Sequence, residues 1–227
     1  MPQTKALPSQ YLPVGPTAPR LPVGRQLPAG TGDDLVDDAT LRAHSYDGTP
    51  FVGLTAEAVA IEQCQFANLR FNGTRLVRTV ISDSRFDTCD FAEFRSQDVS
   101  LLATVLTGSR LTGSRWDSAQ FRDVRFDACP GKTAFFQHSK IQRTVFSGGD
   151  YHGADFQFAE LNSVRFENCD LTGANFTNVK MRRVLFADCT LVDVAGGKSF
   201  ENATVQGAGA IEFAVSLARE LGVRIEP

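Results

Sequence analysis

The residues able to do chemistry are few in this chain of 227 and widely separated. General acid–base work would fall to His44, His138 or His152, and an imidazole needs a neighbour that orients or charges it. Nucleophilic, redox or metal chemistry would fall to Cys64, Cys89, Cys129, Cys169 and Cys189. None of these forms a CxxC pair or a zinc-like set with histidine. Phosphate loops and nucleophile elbows are also missing from the sequence. The residues therefore point away from an enzyme, and no cofactor or metal is expected.

What positions these side chains is a step of five. From Leu41 the series runs Tyr46, Phe51, Ala56, Ile61, Phe66 and on through Trp116, Phe136, Phe156 and Phe176 to Leu191. Of its 31 positions, 28 carry Leu, Ile, Met, Phe, Tyr or Trp, so a single register spans the stretch. The exceptions are Ala56, Ser96 and Gly131. Two residues before each large one sits a second, mostly small residue, and all five cysteines fall in that second series. The histidines, by contrast, land on different sides or coils.

No helix or flat strand accommodates this step. On a helix it rotates the side chain by about 140°, which scatters the apolar positions. On a strand an odd step alternates faces. A wall that turns a corner every five residues satisfies it, with the central residue of each side pointing inward. Four sides follow from Cys89, Cys129, Cys169 and Cys189, all separated by multiples of 20, as are Phe66, Phe86, Phe126 and Phe146. Cys169 and Cys189 then lie one coil apart, about 5 Å at strand spacing. Parallel inward side chains suit a disulfide poorly, so both are read as buried thiols.

Stretches such as Ala154-Asp155-Phe156-Gln157-Phe158 and Ala174-Asn175-Phe176-Thr177-Asn178 resemble the motif of pentapeptide-repeat proteins. The resemblance covers residues 39–195. It implies an all-β solenoid, a right-handed quadrilateral β-helix with about 20 residues per coil and about eight coils. Two irregular sites stand out. At Phe94 and Ser96 the large and small positions are exchanged, and Phe94 is expected to fill the space. At Pro130-Gly131-Lys132 the central apolar residue is missing and proline cannot donate a ladder bond. A bulge or wider corner is expected there, with Phe135 or Phe136 compensating.

The flanks differ in composition. Residues 1–38 are proline-rich and read as extended or disordered, with near-copies Leu12-Pro13-Val14-Gly15, Leu21-Pro22-Val23-Gly24 and Leu27-Pro28-Ala29-Gly30. Residues 196–227 read as a cap and dimerisation segment, with a helix at about 208–221 stopped by Gly222. Ile211, Leu217 and Leu221 mark its expected inward face, Phe213 and Val215 its outward contacts, and Val223–Ile225 a final short strand. No run of 18 apolar residues and no secretion signal is present, so a cytoplasmic location without membrane association is expected.

The outer surface is electrically balanced, with 16 acidic and 16 basic residues between 59 and 195. Its most acidic side carries Asp90, Glu93, Asp150, Asp170 and Asp193. Val77, Phe135 and Phe158 occupy nominally outward positions on another side and form a candidate apolar patch, for which the proline-rich arm is the economical cover. The resemblance to Qnr-like and mycobacterial pentapeptide proteins implies a non-catalytic homodimer. Its implied partner is a type II DNA topoisomerase (DNA gyrase), protected from a quinolone-like drug or natural toxin by partial DNA mimicry. Direct nucleic-acid binding is not expected. The unbroken phase departs from loop-bearing Qnr proteins, and the neutral body departs from a charge mimic. The alternative is a scaffold whose partner meets the apolar patch or the arm.

Overall fold

Each five-residue side is built the same way: three extended residues, then a corner in the left-handed region. Every fifth residue from Asp38 to Asp193 has positive φ, whether glycine or not. A non-glycine residue there costs about 1–2 kcal/mol. The cost is offset where the corner amide bonds the coil above, as Gln63 N donates to Ser82 O (3.1 Å) and Asp83 N to Leu102 O (3.0 Å). The computed structural model describes residues 13–24, 26–48 and 50–224. It is a β-solenoid of about eight turns with one short C-terminal helix.

Neighbouring coils pair in parallel at a spacing of 20 residues, for example Leu41 with Ile61 and Ile141 with Leu161. From Ser100–Thr107 onward two adjacent sides merge into eight-residue strands, ending with Lys180–Ala187. The wall seals a core of stacked rings. Phe126 lies 4.7 Å above Phe146 at 6°, and Phe156 lies 5.1 Å from Phe176 at 1°. Offset aromatic contacts of this kind add about 0.5–1.5 kcal/mol each beyond area burial. The small series also points inward. Its hydroxyls and thiols bond the wall, as Ser139 donates to Trp116 O (2.7 Å) and Cys169 to Phe146 O (3.4 Å). All five cysteines are free and buried.

Phe94 fills the space beside Ser96, packing 4.7 Å from the Trp116 ring. At Gly131 the expected bulge does not form. The register continues, with Leu111 N donating to Pro130 O and Gly131 N to Asp150 O, both 2.7 Å. Phe135 and Phe136 are not what compensates. The Tyr151 ring, one coil on, occupies the space over Gly131. A flat ring lying under a missing side chain fills the layer without any change in chain length.

After Ala195 the pitch shortens: Val184 pairs with Ala203, a spacing of 19. The segment Ala203–Gln206 is followed by α1 (Gly209–Glu220). The face expected to turn inward does not. Ile211 and Leu221 are both 75% exposed and Leu217 is half-buried, whereas Gly209 and Ser216 are buried. The reason is hydrogen bonding. The last coil presents unpaired backbone groups, and Glu212, Ser216 and Glu220, spaced by four on one helix face, answer them. Leu191 N donates to Glu212 Oε2 (3.2 Å), Asp193 N to Ser216 Oγ (2.9 Å) and Gly197 N to Glu220 Oε2 (2.7 Å). Phe213, expected to face outward, is half-buried against the Phe200 ring at 4.4 Å. Val223 and Arg224 form no strand, and Ile225 lies outside the described residues.

Candidate interaction surfaces

The acidic side is brought together but also neutralised. Arg110 clasps Asp90 from the next coil, Nε to Oδ1 at 2.9 Å and Nη2 to Oδ2 at 2.5 Å. Burial raises the Asp90 carboxyl, but hydrogen bonds from Arg110 and the Ala92 amide outweigh it and hold it below the usual range. Lys132 lies 3.0 Å from Asp150, and Arg219 of the helix lies 2.6 Å from Asp193. The backbones of Asp150 and Asp170 pair in parallel on successive coils. Asp170 accepts bonds from the Thr172 amide and hydroxyl, and these outweigh burial to lower its carboxyl. Glu93 occupies a corner with φ 59.

Val77 stands apart from the other two apolar residues: it lies in the strand Arg75–Val77, 60 residues and three coils before Gln137, which shares a side with Phe135. Phe135 is half-buried, with the Arg115 guanidinium 4.0 Å from its ring centroid. Phe158 is 47% exposed and stacks on His138 at 5.0 Å and 3°. Arg115 itself ends a row in register with Arg95 and Arg75, a basic line that the period of 20 could have revealed.

The proline-rich arm lies elsewhere than over Phe135 and Phe158. It runs along the corner formed by Gln63, Asp83, Ala103 and Asp123. Thr17 N donates to Asp123 Oδ1 (3.1 Å), Arg20 N to Asp83 Oδ1 (2.9 Å), and Gln63 Nε2 to Arg20 O (3.1 Å). The arm ends by adding to the first coil, with Ser45 N donating to Pro28 O and Gly30 N to Ser45 O. Arg143 holds the Asp123 carboxylate in place with Nε at 2.7 Å and Nη2 at 2.5 Å. The sequence signal for this docking was the spacing of Pro13, Pro16, Pro19 and Pro22. All four are half-buried, and the residues between them are exposed except Leu21.

Among the described residues no group of three or more His, Cys, Asp or Glu side chains could hold a metal ion, and no helix is long and apolar enough to cross a membrane. His44 bonds the Arg42 carbonyl through Nδ1 (2.8 Å), and His138 and His152 are exposed on separate coils.

A family model described as pentapeptide repeat region matches residues 119–195 of this chain. No curated protein matches it in sequence. Among solved structures, a trypsin-treated form of QnrB1, a plasmid-mediated fluoroquinolone resistance protein, is 16% identical with a TM-score of 0.46. It covers 89% of this chain and 94% of that one. HetL, involved in heterocyst differentiation regulation in the cyanobacterium Nostoc sp. strain PCC 7120, is 16% identical with a TM-score of 0.38, covering 70% and 74%. A thylakoid-lumen pentapeptide repeat protein from Arabidopsis thaliana is 18% identical with a TM-score of 0.20, covering 60% and 67%. None of these likenesses bears on activity.

Proposed function

We propose that the protein is a non-catalytic rod that works by binding another protein along its outer wall. The observation that carries this reading is the sealed interior. Stacked rings fill the axis, buried hydroxyls and thiols such as Ser139 and Cys169 bond the wall, and the three histidines stay apart from one another. Only the outer faces and the docked arm remain to do work. Binding rods of this kind act through preformed surfaces, at little ordering cost to themselves.

A second, narrower reading is that the partner is a type II DNA topoisomerase, DNA gyrase, shielded from a quinolone-like drug or natural toxin. It is favoured by the Asp150–Asp170 column, which offers two carboxylates on successive coils of a straight, gap-free rod. Among the described residues Asp90 and Asp193 pair with arginines and Asp150 with Lys132, which leaves Asp170 of this column as the point where a DNA-like negative surface would act. The test is a gyrase supercoiling and DNA-cleavage assay, titrating the protein with and without a quinolone. Restored supercoiling that is lost in D150N/D170N supports the narrower reading. No effect against a host-matched enzyme and several inhibitors removes it, leaving the binding rod with another partner.

A further inference from the structure

The arm and the corner it occupies share a period. An extended proline-type segment repeats every three residues and rises about 3.1 Å per residue, so one repeat spans about 9.3 Å. Two coils of the solenoid span about 9.6 Å at strand spacing. The corner residues on successive coils are Asp83, Ala103 and Asp123, so a carboxylate recurs every two coils with a small residue between. Thr17 and Arg20, three residues apart, give their amides to Asp123 and Asp83, two coils apart. The prolines just before them, Pro16 and Pro19, turn toward the wall, as do Pro13 and Pro22 in the same phase.

This is recognition by matched pitch. A proline has no N–H to leave unpaired against the wall, and the residue after it supplies one. The carboxylate is oriented before the arm arrives: Arg143 occupies both Asp123 oxygens and keeps the side chain almost entirely covered. Leu102, Ala103 and Arg122 complete the depression along which the arm lies. Contacts of the arm with this corner are nonetheless few: among the described residues three hydrogen bonds hold it, and Val14, Gly15, Thr17, Ala18 and Arg20 stay exposed. Such a segment belongs to the part of a structure that opens locally.

We propose that this corner is a docking groove for proline-rich segments with proline at every third position, and that the chain's own arm is its resident, competing ligand. The occupant in trans is an extended P-x-x-P-x-x-P segment of a protein partner, bound through amides given to Asp83 and Asp123. The proposal deepens the reading of the rod as a binding module and rests on it. The arm's tethering gives it a high effective concentration, so a partner segment must displace it, and anything that weakens the arm raises the apparent affinity for the partner.

The probe is a fluorescent peptide spanning residues 13–24, titrated into the full chain by anisotropy. In the full chain carrying P16A/P19A, whose own arm has lost two register prolines, the peptide is expected to bind about tenfold more tightly than in the unaltered chain. Adding D83A/D123A to that variant is expected to abolish the gain. A peptide with one alanine inserted after Pro16, which breaks the three-residue spacing, is expected not to bind, and this control needs no altered protein. Equal binding of the spaced and inserted peptides, or no gain in P16A/P19A, overturns the proposal. Either outcome leaves the supercoiling assay untouched, so the two readings fail separately.

Discussion

The ring of Tyr151 lies directly beneath Gly131, so close that a Cβ on the glycine would stand 2.6 Å from Tyr151 Cε1. Gly149 flanks the same ring from the other side, where a Cβ would meet Tyr151 Cε2 at 2.5 Å. Gly131 has ordinary backbone geometry, so the demand there is space alone. Gly131→Ala is expected to destabilise the rod by about 1–3 kcal/mol through overpacking. Tyr151→Leu should cost stability alone but lessen the penalty of Gly131→Ala. A double-mutant cycle of thermal or urea unfolding reads this coupling, and strict additivity would show that the ring has moved aside.

Of the three helix side chains that answer the last coil, Ser216 is the one that both accepts from it and donates to it. Ser216 is 5% exposed, and its Oγ accepts from Asp193 N and donates to Leu191 O at 3.1 Å. Ser216→Ala removes both bonds and leaves a part-buried amide without its acceptor, a loss of about 1–2 kcal/mol. The urea midpoint should fall accordingly. Ile211→Ser, on the exposed side of the helix, should leave it unchanged.

Acid should loosen the arm at one end. The Arg143 hydrogen bonds beside Asp123 outweigh burial and, with the Thr17 amide, hold its carboxyl below the usual value. A group lowered on folding contributes stability that is present above its ordinary value near 3.9 and fades as pH falls through the lowered one. The Thr17 amide resonance should therefore hold its position down to about pH 4 and shift only below it. A shift already complete at pH 5 would place the Thr17 contact under another group's control.

The thiols should be silent in the folded protein. Burial pushes Cys89 up to about 12 and Cys129 up to about 11. Cys189 is also raised, by its hydrogen bond with Cys169 and by burial; the same bond lowers Cys169, which is kept from reagents by its burial alone. A thiol reagent at neutral pH should find none of the five in native protein and all five in denaturant. Fast reaction of any one before unfolding would mark a local opening of the wall.

The inward column was legible because a step of five leaves one geometry and because large residues at that step have nowhere else to go. The corner column was not. It carries Gly73, Asn68, Arg143 and Phe158 alike, since hydrogen bonds between coils impose positive φ regardless of local preference. At the helix, apolar periodicity singled out Ile211 and Leu221, but the rod's end asked for hydrogen-bonding groups, and the polar spacing of Glu212, Ser216 and Glu220 was the better signal. The pairing of Asp90 with Arg110 and of Glu160 with Lys180 could have been read from their 20-residue offsets. The arm's path needed the structure, because three-residue and two-coil periods meet only in space.

The corner residue Ala103 has a consequence for how such a chain can change its length. Excising residues 101–120 would keep every inward side chain in phase and would look harmless on paper. It would also stack Asp123 straight onto Asp83, about 4.8 Å apart, and take away the guanidinium that covers Asp90. Coils are thus not interchangeable storeys. This one insulates the carboxylates on either side of it, and here the order of the building is written in its electrostatics as firmly as its height is written in its aromatic rings.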